Sequence, residues 1–96
     1  MTIQTETIGT DEAERRGIFG WPRSERGVSR LTWHYDATEV AYIEQGSARI
    51  ETEDGNIEIE AGDLVTLPAG LDCTWTIREP LLKRYKIHTE STKDSA

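Results

Sequence analysis

Ala61-Gly62-Asp63-Leu64-Val65-Thr66-Leu67-Pro68-Ala69-Gly70-Leu71-Asp72-Cys73-Thr74-Trp75-Thr76-Ile77 is the stretch on which the fold turns. Ala61-Gly62-Asp63 directs the chain into a short apolar run, Leu64–Leu67, and Pro68-Ala69-Gly70 directs it out again. Beyond that second turn Leu71, Cys73, Trp75 and Ile77 occupy alternate positions, so in an extended chain they share one face.

The same alternation runs outward in both directions. Downstream, Pro80 interrupts the chain, and Leu81, Lys83, Tyr85 and Ile87 then share a face of the last strand. Upstream, Ile57 and Ile59 alternate with Glu58 and Glu60, and Asp54-Gly55 before them is a strong hairpin signal. Ala48, Ile50 and Thr52 alternate with charged residues. Glu39–Gln45 reads as a strand that Gly46 ends, with Glu39, Ala41 and Ile43 on one face and Val40 and Tyr42 on the other. Asp36-Ala37-Thr38 is a turn, and before it Leu31, Trp33 and Tyr35 oppose Arg30, Thr32 and His34. About seven to nine short strands at close intervals imply an all-β sandwich or barrel. No segment offers the crossover helix that parallel βαβ units need.

Toward the N-terminus the pattern weakens. Thr2–Ile8 is β-prone and is expected as an edge strand or as an arm exchanged between copies. Asp11 and Glu14 have capping-box spacing and Gly17 follows as a stop, which predicts one short helical turn. The expected organisation is an arm over residues 1–17, a barrel over 18–88 and a frayed polar tail over 89–96.

A chain of 96 residues suits one domain, with a thin core in which each large apolar side chain counts. The net charge is −7, so nucleic acid is not an expected partner. The acids cluster between Glu51 and Asp63 and the cations between Arg78 and Lys86, which reads as two solvated strand faces paired across a sheet. One cysteine, Cys73, permits no internal disulfide and suits a reducing compartment. No apolar run approaches a membrane span, and Met1–Gly9 lacks the charge and apolar pattern of a secretory signal. The expected location is the cytoplasm, with no membrane partner.

Two motifs carry a resemblance. Glu39 is followed by six residues and Gly46. Gly62 is followed by five residues, Pro68, Ala69, Gly70, two residues and Cys73. The segment resembles the cupin superfamily, whose first motif ends in Glu, six residues, Gly, and whose second places Gly, Pro, Gly and His at this spacing. Trp21-Pro22, Trp33-His34-Tyr35-Asp36, Glu53-Asp54-Gly55, Cys73-Thr74-Trp75, Glu79-Pro80 and Lys83-Arg84-Tyr85 narrow the likeness to small single-domain cupins related to the cupin domain of ureidoglycine aminohydrolase. The resemblance covers about residues 18–87. It implies a cupin-type double-stranded β-helix, a jelly-roll barrel, commonly paired as a homodimer through an edge strand or an exchanged arm.

Metal-binding cupins typically use two His and the Glu of the first motif and the His of the second. Here Cys73 stands at the second-motif His. The first motif allows two registers, placing the His positions on Thr32 and His34, or on Trp33 and Tyr35. The second is preferred, because it turns Leu31, Trp33 and Tyr35 inward and each large side chain buried contributes about 1.5–3 kcal/mol. Glu39 and Cys73 would then be the only ligand-like groups inside. The rival register supplies His34, Glu39 and Cys73 for a divalent transition metal.

Glu39, expected to face the interior with Ala41 and Ile43, is then a structural group with an internal partner or a general acid/base. Cys73 is a small buried hydrophobe or a thiolate ligand. Trp33, Tyr35 and Trp75 pack the wall and line the mouth. Lys83 pairs with Glu39, anchors an anionic ligand, or snorkels to the surface. Three readings follow. The preferred one is a barrel that binds a small polar or carboxylate-bearing metabolite against Trp33, Tyr35, Glu39, Cys73, Trp75 and Lys83, without metal. The alternative is a metal-dependent, aminohydrolase-like or isomerase-like enzyme with Glu39 as acid/base. The third is a scaffold whose own aromatics fill the barrel.

Overall fold

The alternating segments become seven antiparallel strands in a computed structural model that describes residues 2–88. They are β1 (Gln4–Thr7), β2 (Arg23–Arg26), β3 (Ser29–His34), β4 (Thr38–Thr52), β5 (Gly55–Glu60), β6 (Asp63–Leu67) and β7 (Asp72–His88). The helix α1 (Thr10–Arg15) and a 3₁₀ turn (Ile18–Gly20) lie between β1 and β2. The tail expected to fray, residues 89–96, lies outside the described residues.

Two long strands make the barrel. The first half of β4 pairs with β6 and with the end of β7, and β1 and β2 extend that layer to the order β1-β6-β4-β7-β2. The second half of β4 pairs with β5 and with the start of β7, which also holds β3. The two layers share β4 and β7 and close over one core, which is the cupin jelly roll.

Gly46 and Pro80 do not end strands, as the sequence suggested. β4 runs through Gly46 and β7 through Pro80, and the β4–β7 register shifts between Ile43 and Ala48. Gly46 has φ 94°, and a Cβ there would stand 2.2 Å from the Pro80 carbonyl oxygen. The two residues therefore form a bulged corner where both strands change layer, and bulges bend strands without terminating them.

The capping box is also absent. Gly9 is the N-cap, without a side-chain cap, and Asp11 lies inside the first turn. Glu12 instead binds Arg15 and, at 2.7 Å, Arg16, the partners that helical spacing puts beside it. Gly17, at φ 76°, stops the helix as expected.

The barrel core joins Ala41, Ile43, Ile50, Val65, Leu67, Cys73, Trp75 and Ile77 with their neighbours. A second cluster, Ile8, Ala13, Ile18 and Tyr42, lies where the N-terminal segment covers the outer face of β4. Tyr42 is thus packed within its own chain. β1 lies antiparallel to β6, register Gln4 to Thr66 through Thr7 to Asp63, so the arm covers that edge.

Candidate functional site

Alternation on β2, β3, β4 and β7 sends one set of side chains into a cavity of about 270 Å³. β3 and the residue after it contribute Leu31, Trp33 and Tyr35; β4 contributes Glu39; β7 contributes Trp75, Ile77, Leu81, Lys83, Tyr85 and Ile87; β2 contributes Ser24 and Arg26. Trp75, Ile77 and Leu81 are buried and form the deep wall, while Trp33 and Ile87 are 42% and 52% exposed and belong to the rim. Trp33 and Tyr35 face inward, the register that burial favoured.

Glu39 and Lys83 meet inside. Their backbones are diagonal across the β4–β7 pair, with Ala41 and Tyr85 at the intervening register position. The Lys83 ammonium donates to Glu39 Oε2 at 3.2 Å, and the two side chains are only 15% and 12% exposed. Lys83 Nζ also stands 5.0 Å from the centre of the Trp75 ring, a cation over an aromatic face. Lys83 is therefore not a surface lysine: its carboxylate partner and the Trp75 ring hold it within the barrel. The Tyr35 hydroxyl accepts from Trp75 Nε1 at 3.1 Å. Burial, and next the negative charge of Glu39, push the Tyr35 phenol well above its ordinary range, so it stays protonated.

Cys73 and His34 stand apart from this group. Cys73 is buried in the core cluster and does not line the cavity; burial raises its thiol pKa, opposed mainly by the Trp75 indole N–H. His34 is exposed on the other face of β3, with Nδ1 2.7 Å from Asp72 and Nε2 3.4 Å from Asp36.

Comparison with known proteins supplies the context. Residues 13–85 match the EutQ-like cupin domain. The chain belongs to the EutQ-like cupin domain family. A crystal structure of a DUF861 family protein from Thermotoga maritima is 38% identical, has a TM-score of 0.85, and is matched over 91% of this chain and 100% of that one. The EutQ protein of Clostridium difficile is 15% identical at a TM-score of 0.64, over 90% of this chain and 67% of that one. A cupin-2 domain protein from Shewanella frigidimarina is 20% identical at a TM-score of 0.58, over 69% and 67%. The last two likenesses concern the fold alone. No curated protein matches the chain. The family fixes the barrel and leaves the activity unassigned.

Metal is the first chemistry to test against a cupin barrel, and the donor set of this EutQ-like cupin does not fit it. His34 points out of the barrel, so His34, Glu39 and Cys73 do not converge. Glu39 is already held by an ammonium group, which opposes a divalent cation at the same oxygen. Among the described residues no three His, Cys, Asp or Glu side chains are placed to hold an ion.

The sequence reading of this cupin missed Arg26 and Ser24. They are the inward members of Arg23-Ser24-Glu25-Arg26, a strand with no apolar residue to mark its faces. The guanidinium of Arg26 lies 5.7 Å from the centre of the Trp33 ring, beside the mouth. Only the register of β2 on β7, Arg26 opposite Leu81, puts it there.

Proposed function

We propose that this cupin binds a small polar metabolite in its barrel cavity, without a metal ion. The observation that carries the reading is the Glu39–Lys83 pair facing free volume between aromatic walls. An enclosed ion pair adds little stability over an apolar pair of similar size, so stability alone gives weak reason to keep one here. Lys83 has three N–H donors and Glu39 accepts one, which leaves donors for a ligand. A volume of about 270 Å³ is at the small end of ligand cavities, which limits the ligand to a small molecule. A barrel filled by its own aromatics would leave no such space.

Trp33 and Trp75 report the test. Titration with small polar metabolites is expected to quench tryptophan fluorescence, and Lys83→Met should weaken the binding by about tenfold or more. Binding unchanged in both Lys83→Met and Glu39→Gln counts against the reading. The enzymatic alternative draws on Glu39 and Lys83 being an acid–base couple inside a cavity, and on the resemblance to the cupin domain of ureidoglycine aminohydrolase. Turnover of the bound ligand, lost in Glu39→Gln while binding persists, would favour an aminohydrolase-like or isomerase-like reaction.

A cytoplasmic setting and a homodimer belong to the same proposal. The single free thiol suits a reducing compartment. Among the described residues no strand pairs the outer edges of β3 or β5, so either can receive a second copy.

A further inference from the structure

We infer that the ligand is a small monocarboxylate selected by Arg26 at the cavity mouth, an inference that rests on the pocket reading above. Charge is the starting observation. Among the described residues three charged side chains line the cavity: Arg26, Lys83 and Glu39. Glu39 and Lys83 neutralise one another at 3.2 Å, so the wall carries one excess positive charge in a chain of net charge −7. Positive charge is concentrated at the cavity against the trend of the whole molecule, and that difference favours an anion over a neutral or cationic guest.

Arg26 is the source of the excess. Among the described residues it forms no ion pair, and its neighbour Glu25 is turned toward Arg23 at 3.9 Å. Its guanidinium is placed by the Trp33 ring, which leaves the donor fork for an incoming group. A planar fork with parallel N–H donors matches a carboxylate in two-point contact better than a single oxygen acceptor. Its positive charge also reaches the Tyr35 hydroxyl, where it opposes the upward effect of burial. The field of Arg26 therefore extends into the cavity.

One negative charge is also the limit. A monoanion balances the single excess charge, whereas a second carboxylate would face Glu39 without a cation of its own. The remaining wall is mainly apolar and aromatic, with Leu31, Trp33, Tyr35, Trp75 and Tyr85 among its residues, which suits a flat or short apolar body behind the carboxylate.

Benzoate and its neutral isostere benzamide, each small enough for the cavity, separate the possibilities by titration calorimetry. Benzoate is expected to bind the full chain at least tenfold more tightly than benzamide, a ratio that falls as salt is raised because the guanidinium is exposed. Arg26→Gln should bring benzoate to the benzamide level and leave benzamide unchanged. Its melting temperature should match that of the parent, since Arg26 contributes no buried contact. Equal affinity of the two probes for the parent overturns the monocarboxylate inference and leaves the pocket reading standing. So does an Arg26→Gln variant that weakens both probes alike, which would make Arg26 a wall and not a selector. If neither probe binds, the inference fails with the pocket reading.

Discussion

His34 is the residue whose role reverses between the two registers, and its place follows from its neighbours. Tyr35, which is buried, gains more from that position than an imidazole would, and Trp33 at the rim shares its side of the chain, so β3 turns His34 outward, between Asp72 and Asp36. The hydrogen bond to Asp72, with smaller help from the charges of Asp72 and Asp36, raises the His34 pKa above 6.5. A raised folded-state pKa stabilises the fold below the unfolded value and loses that contribution as pH rises through the folded one. Side-chain NMR titration should show Asp72→Asn moving His34 down toward about 6.5. An unchanged midpoint would mean that Asp72 does not hold the ring. Glu39, Trp33, Tyr35 and Trp75 were legible as cavity-facing because period-two alternation assigns a strand residue to a side. Lys83 was legible as a face-mate of Tyr85 with Glu39 as one of its possible partners, but charge argued for the surface, and the partner that overrules it lies 44 residues away in the chain.

Strand faces were readable at the scale of the element, but strand ends were not. Gly and Pro read as stops at Gly46 and Pro80, yet β4 and β7 pass through both. A glycine that permits a bulge and one that ends a strand look alike in sequence; what distinguishes them is the strand across. At Gly46 that neighbour is the Glu79–Pro80 backbone, whose carbonyl oxygens would meet a Cβ at 2.9 and 2.2 Å. Gly46→Ala is therefore expected to lose about 3 kcal/mol or more, combining a left-handed backbone penalty with a clash that only backbone movement relieves. Gly55→Ala, where a Cβ meets nothing within 4 Å, should lose less because only the conformational cost remains. Urea unfolding of the two variants gives the comparison. Equal losses would place the cost in φ alone and remove the argument for a tight corner.

Across the whole molecule, the jelly roll was legible because its two turn motifs and its alternation agree, and the family match over residues 13–85 follows the same residues. The cavity was only partly legible, because Arg26 enters from a strand with no apolar period. Its charge bears on metal as well as on ligand. Divalent cations are attracted to a surface of net charge −7, but inside the barrel they meet Lys83 and Arg26 and a single carboxylate already paired. Three or four donors that converge on one point hold a transition ion; one donor beside an ammonium does not. Protein purified without a histidine tag should accordingly carry transition metal well below one ion per chain. Added zinc or manganese should shift the melting temperature of Glu39→Gln by as much as that of the parent, since any weak binding is to the acidic surface. Near-stoichiometric metal that disappears in Glu39→Ala and in Cys73→Ser would overturn the metal-free reading, because it would require Glu39 to leave Lys83 and Cys73 to turn toward the cavity when the ion binds.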